Sequence, residues 1–215
     1  MSDSVNKTKK SPIASVFEWV EVFCMALFVV VLLFTFVCRL VTVDGASMNN
    51  TLQHGDRMII SDLFYTPHRG DVVVVQDAAS EHFPAPIIKR VIATEGEKID
   101  IDPETWTVTV TDVDGNEIVL DEPYVNRVDE PMSIASYDNL FHHSYQNAIF
   151  ESSYPYTVPK GHVFVMGDNR ENSTDSRMLG QVDKREILGK VIFLLTPGKE
   201  TGMGESNTDR IGVVK

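Results

Sequence analysis

Residues 106–120 read Trp-Thr-Val-Thr-Val-Thr-Asp-Val-Asp-Gly-Asn-Glu-Ile-Val-Leu, and this stretch decides the fold class. Its alternation puts Trp106, Val108 and Val110 on one face and Thr107, Thr109 and Thr111 on the other, the period of a half-buried strand. Asp114-Gly115 supplies a turn and Ile118-Val119-Leu120 a return strand, so the segment reads as a β-hairpin. Asp112-x-Asp114-Gly115 begins like a calcium loop, but the later acidic positions and the distal bidentate glutamate are missing; a turn accounts for it.

The same grammar extends outward on both sides. Met58-Ile59-Ile60, Val72 to Val75 after Arg69-Gly70-Asp71, Ile87 to Ile92, and Val163-Phe164-Val165 before Gly167-Asp168-Asn169 are short β-type runs broken by turn residues. Val191 to Leu195 reads as a further, buried strand. With no long helical period among them, this part of the chain is mainly β. Residues 126–155 scatter Tyr137, Phe141, His142-His143, Tyr145 and Tyr154 among polar residues and read as an insertion or surface flap. Adjacent histidines point apart on a strand, which disfavours a metal site there. The stretch from Pro197 to Asp209 is Gly-rich and polar, an irregular surface segment.

The N-terminal part obeys another rule. Val22 to Cys38 carries no charge, and Trp19 before it with Leu40, Val41 and Val43 after it extend the apolar stretch. Seventeen helical residues cover ~26 Å, close to the ~30 Å of a bilayer's hydrocarbon core. A core helix would show a polar face, and a cleaved secretory signal has a shorter apolar region, so a transmembrane anchor is the expectation. Residues 1–16 are then a tail, 17–43 the anchor and 44–215 an exported domain. Lys7, Lys9 and Lys10 precede the span against Arg39 alone beyond it, which keeps the tail in the cytoplasm and places the domain on the outer face of the cell membrane. Cys24 and Cys38 both lie in the apolar stretch, ~21 Å apart on a helix, and cannot pair.

Charge restricts the partners. The formal net charge is −12, and beyond Arg39 there are 15 cations against 28 anions, so a phosphate backbone would be repelled and nucleic acid is excluded.

Three segments carry chemistry. Asp44-Gly45-Ala46-Ser47-Met48-Asn49-Asn50-Thr51-Leu52 offers a serine among small residues. Alone this is a turn more often than a nucleophile, and Gly45-x-Ser47-x-Asn49 lacks the last glycine of a hydrolase elbow. Its placement raises its interest, because eight residues reach at most ~28 Å from Arg39. Pro86-Ile87-Ile88-Lys89-Arg90-Val91-Ile92 puts Lys89 on the strand face of Ile87 and Val91. At the solvated pKa only ~0.04% of lysines are neutral at pH 7, and desolvation by a few units makes a usable base. Without a partner, Lys89 would instead be read as an edge-strand gatekeeper. Gly167 to Arg177, GDNRENSTDSR, is the third; as a plain turn it would hold an Asp175 to Arg177 ion pair.

Together these segments resemble the bacterial type I signal peptidases. Ser47-Met48-x-x-Thr51-Leu52 is similar to the family's nucleophile motif, Gly55-Asp56 and Arg69-Gly70-Asp71-Val72 to its following motifs, Lys89-Arg90-Val91 to its lysine motif, and Gly167 to Arg177 to its C-terminal signature. The resemblance implies an antiparallel β-sheet catalytic domain behind the anchor. It implies a serine endopeptidase with Ser47 as nucleophile, Lys89 as general base, Ser173 orienting Lys89, and Asp175 with Arg177 as a structural pair. Cleavage is expected after small residues of signal peptides on exported preproteins, with Val43, Met48, Leu52, Ile87 and Ile88 lining shallow pockets, and neither metal nor cofactor is implied. Gly45 sits where some members place a serine hydroxyl in the oxyanion hole, so the hole would rest on backbone N–H groups, that of Ser47 first. Asn50 stands where the family usually has proline, and Ala93-Thr94-Glu95-Gly96-Glu97 replaces its Gly-x-Pro-Gly-Asp.

Other classes read less well. A Ser/Lys self-cleaving repressor would lack the apolar anchor, and a Ser/His/Asp hydrolase would need His54 or His162 in a recognisable setting. A non-catalytic envelope binding protein on the same scaffold is the non-enzyme alternative, which loss of Ser47 or Lys89 would signal; both are present.

Overall fold

Runs of β-branched residues are stiff at χ1 and pack well on a pleated surface, and they mark the middle of the main sheet. A computed structural model describes residues 12–76, 85–102, 105–125, 155–198 and 208–214. The flap assigned to 126–155 lies outside the described residues except for Pro155, as do the lysines of the N-terminal tail and residues 199–207. The chain divides at Arg39 into two compact units.

The first unit is helix α1, Pro12–Phe36. Its window Ser15–Leu32 has a mean hydropathy of 2.2 and no buried residue, and it is long and apolar enough to cross a membrane. Phe17, Trp19 and Phe23 are all exposed. The helix ends earlier than hydropathy suggests. Arg39–Thr42 is strand β1, so Leu40, Val41 and Val43 belong to the second unit. Hydropathy cannot separate an apolar strand from the end of an apolar helix, whereas the β-branched run Val41-Thr42-Val43 favours extended backbone.

The second unit holds two antiparallel sheets. The larger uses β1, β2 (Arg57–Ser61), β3 (Val72–Val75), β4 (Ile87–Thr94), β9 (His162–Met166), β10 (Val182–Asp183), β11 (Ile187–Thr196) and β12 (Gly212–Val213). Their order is β1-β2-β11-β3-β4-β9-β10, with β12 pairing β11. The smaller sheet is ordered β7-β6-β5-β8, from β5 (Lys98–Ile101), β6 (Val108–Thr111), β7 (Glu117–Val119) and β8 (Tyr156–Thr157). The pairings among β2 to β12 are antiparallel. Ile92, Phe164 and Met166 from the large sheet share one core with Ile99, Ile101, Val108 and Val110 from the small one.

The hairpin is β6–β7, in register at Val110 and Ile118, with Asp112 accepting the N–H groups of Asp114 and Asn116. Its strand begins at Val108, and Trp106 does not join the valine face. Trp106 has φ +58 and its N–H closes onto the carbonyl of Asp102, so it belongs to the turn between β5 and β6. The Val191 to Leu195 run also differs from expectation. It is part of β11, but Ile192 and Leu195 are exposed while Val191 and Leu194 are buried, because the pairing with β2 shifts register between Val191 and Phe193 and again between Leu194 and Thr196, leaving Ile192 and Leu195 as the extra residues.

Candidate active site

The serine segment is a loop tied at its base. Val43 N–H donates to the Asp56 carbonyl and Gly55 N–H to the Val43 carbonyl, closing residues 44–54 into one turn-rich excursion. Inside it Thr51 and Leu52 both donate to the Met48 carbonyl, while Met48 and Leu52 sink into a core with Val43, Met58, Ile60 and Val74. Two residues have left-handed backbone, Gly45 at φ +101 and Asn50 at φ +77. Asparagine tolerates that region and proline, fixed near −65°, does not, so Asn50 matches the loop geometry found here.

Lys89 comes from β4, opposite Val73 of β3 in the ladder. It is 3% exposed, and its Nζ lies 2.8 Å from Ser47 Oγ and 3.0 Å from the Ile88 carbonyl oxygen. Burial pulls its pKa down from 10.5 to about 8; Asp175 and Asp168 pull it up and Arg177 pushes it down, so burial outweighs the nearby charges. Nucleophile and base candidates are thus in hydrogen-bond contact, as proton transfer requires.

The Gly167 to Arg177 segment packs against both. Gly167 follows β9 and needs to be glycine, because a Cβ there would collide with Ser47 O and Ser173 Oγ. Asp175 and Arg177 form a buried two-pronged pair, Nε to Oδ1 and Nη2 to Oδ2 both at 2.8 Å, and Asp175 caps the short helix α2, Ser176–Leu179. Burial pushes the Asp175 carboxyl up, but Arg177 beside it and the Gly167 N–H hold it below the usual carboxylate range. Ser173 is brought to the same place, 6% exposed, close enough to Asp175 to help lower its pKa, but among the described residues its hydroxyl makes no hydrogen bond to Lys89.

A cleft of about 400 Å³ opens beside Ser47 and Lys89. Val43, Met48, Ile87 and Ile88 line it. Leu52 does not; it is fully buried in the core beneath, since the turn that carries it points inward. Val41, Thr42, Val74 and Pro86 also line the cleft, and only folding brings them there. Gly45 N–H is directed at His54 Nδ1, 3.3 Å away, whereas no hydrogen bond of the Ser47 N–H occurs among the described residues.

Four charged pairs that single-residue reading overlooked hold this arrangement and the turn beside it. Arg90 meets Asp168 through Nε at 2.9 Å and Nη2 at 2.7 Å, gives Nη1 to the Gly70 carbonyl, and stacks 3.9 Å from the Tyr124 ring centre. Asp168 also accepts the Thr51 hydroxyl at 2.5 Å, so the pair reaches the serine loop. Arg170 pairs with Glu122, both buried. Asp56 is fully buried and accepts Arg210 Nη2 at 2.6 Å and Nη1 at 3.1 Å, Gln53 N–H at 2.8 Å and Gly198 N–H at 2.7 Å. Part of the stretch read as an irregular tail therefore anchors the loop. Arg69 pairs with Glu97, which also accepts the Thr94 N–H, so the altered 93–97 turn is still braced.

Comparison with known proteins follows the same lines. The sequence profile of "Signal peptidase, peptidase S26" matches residues 16–196. Signal peptidase IB of Staphylococcus aureus strain Mu50 is 30% identical over 195 residues, covering 85% of this chain and 91% of its own. Signal peptidase I of Bacillus licheniformis is 30% identical over 207 residues, 93% of this chain and 97% of its own. A crystal structure of a signal peptidase I from Enterococcus faecalis V583 overlaps more partially, with a TM-score of 0.39 and 24% identity over 59% of this chain and 97% of that one. A profile match over most of the chain and relatives matched nearly end to end leave one assignment: the chain belongs to the signal peptidase family, peptidase S26.

Proposed function

We propose that the protein is a membrane-anchored serine endopeptidase that removes signal peptides from exported preproteins with a Ser47/Lys89 dyad. The observation that carries this reading is the 2.8 Å contact between Lys89 Nζ and Ser47 Oγ, on a lysine whose pKa burial draws to about 8. In the proposed sequence, neutral Lys89 takes the Ser47 proton as Oγ attacks the scissile carbonyl. The lysinium then protonates the leaving amine, and water attacks the acyl-enzyme with Lys89 again as base, regenerating Ser47 and releasing the new carboxyl end. The oxyanion would be met by the Ser47 N–H, since the Gly45 N–H is occupied by His54. Ser173, buried beside Gly167, is the group we assign to orienting Lys89 during turnover.

The cleft walls of Val43, Met48, Ile87 and Ile88 favour small apolar side chains, in keeping with Ala-x-Ala cleavage sites. Helix α1 would hold the enzyme in the cell membrane as a single span, with residues before it cytoplasmic and the sheet domain outside. There it would meet substrates whose own apolar helices are embedded in the same bilayer. The test is preprotein processing in detergent: wild type is expected to release mature protein and Ser47→Ala none, and processing by Ser47→Ala at the wild-type rate would overturn the proposal.

A further inference from the structure

Asp168, Arg170, Asp175 and Arg177 of the Gly167 to Arg177 segment are committed to ion pairs, but Asn169 takes no part in them. Its backbone N–H donates to the Ser47 carbonyl at 3.0 Å, and its Nδ2 donates to the Ala46 carbonyl at 3.1 Å. One residue therefore holds the two successive carbonyls that flank the Ser47 Cα. The Ala46 carbonyl also accepts the Asn49 N–H at 3.0 Å, so both of its lone pairs are engaged.

A trans peptide is planar, and its C=O and N–H point in opposite directions. Fixing the Ala46 carbonyl toward Asn169 and Asn49 thereby fixes the Ser47 N–H the other way. That N–H has no hydrogen-bond partner among the described residues. A donor that is held rigidly and left unbonded can meet developing negative charge without first reorganising, and such donors contribute most to acyl transfer. The neighbouring donor differs, since Gly45 N–H is engaged by His54 Nδ1. Close approach of the two segments depends on the bare Cα of Gly167, whose Cβ would otherwise strike the Ser47 carbonyl.

We propose that Asn169 is a positioning residue that aims the Ser47 N–H at the oxyanion of the tetrahedral intermediate. The inference rests on the reading of Ser47 as the nucleophile. Asn169 touches neither substrate nor reacting atoms; it acts through the Ala46–Ser47 peptide plane. Its side-chain amide is the required feature, because the backbone N–H to Ser47 O would survive any replacement except proline.

The test uses the full-length enzyme in detergent with Asn169→Ala, which deletes the amide, and Asn169→Leu, which keeps its bulk without a donor. Both are expected to lower kcat ~10-fold or more, short of the full loss of an oxyanion donor. KM and the midpoint of the rising pH limb are expected to stay at wild-type values. Inhibition by a peptide aldehyde ending at the cleavage-site alanine, whose adduct carries the same oxygen, is expected to weaken by a similar factor. Wild-type kcat in both folded variants would overturn the proposal, as would a loss confined to KM or one accompanied by a shifted pH limb, which would mean action through Lys89. Ser47→Ala in the same assay separates the two levels. If it still turns over, the nucleophile assignment fails; if it is dead while the Asn169 variants match wild type, only the positioning role fails.

Discussion

Lys89 is where burial and the proposed chemistry meet most directly, because the environment that would make it a base also makes it a burden. With a pKa near 8, activity is expected to climb through that value as kcat/KM is followed against pH, well below the range of a solvated lysine. Lys89→Arg keeps the charge but cannot lose a proton, so it is expected to fall to the level of Ser47→Ala, while His54→Ala and His162→Ala stay active. Stability runs the other way. The folded pKa lies below the unfolded one, so the cost of burying the ammonium is fully present below about pH 8 and declines as pH rises from there toward 10.5. Lys89→Met is therefore expected to melt higher than wild type at pH 7, by a margin that narrows above pH 8 in thermal denaturation. At Asn50, with φ +77, substitution by the family's usual proline is expected to lower the melting temperature, while Asn50→Gly folds and cleaves. Ser47 and Lys89 stood out as candidates in the sequence only in company with the Gly167 to Arg177 segment, since the short run around each is weak by itself. Their contact was not legible there, since 42 residues separate them and only the fold sets that distance.

At the scale of elements, the serine loop is held from two directions by buried ion pairs. Removing one partner of such a pair leaves the other charged and dry, a change of ~3–5 kcal/mol. Asp168→Ala is accordingly expected to reduce stability by about that amount, because Arg90 is 1% exposed; denaturant unfolding checks it. Strands were readable wherever valine and isoleucine formed runs, and β2, β3, β4 and β9 fall where those runs lie. The ion pairs were not readable. Arg90 with Asp168 and Arg210 with Asp56 lie 78 and 154 positions apart, and a single charge in a polar run has no period to betray its partner. Leu52 misled for a related reason, since a motif gives proximity to the nucleophile but not the direction in which a side chain leaves its turn.

For the whole molecule, the chain divides at Arg39 into an apolar helix and a β unit, and because apolar residues lie on both sides of that point, hydropathy alone does not mark it. The orientation we propose makes its own prediction: protease added to intact spheroplasts is expected to digest the sheet domain, and full protection would reverse the topology. The Arg210–Asp56 pair has a consequence in time as well as in space. A ribosome makes Ser47 early and Arg210 more than 150 residues later, so through most of its synthesis the chain carries a serine whose loop still lacks its distant counter-ion. A chain cut short between Arg177 and Arg210 keeps every one of the family's motifs but lacks the brace beneath its proposed nucleophile. Synthesis through Arg210 thus becomes a condition of a finished candidate site, and a nascent or broken copy is expected to cut poorly whatever lies beside it.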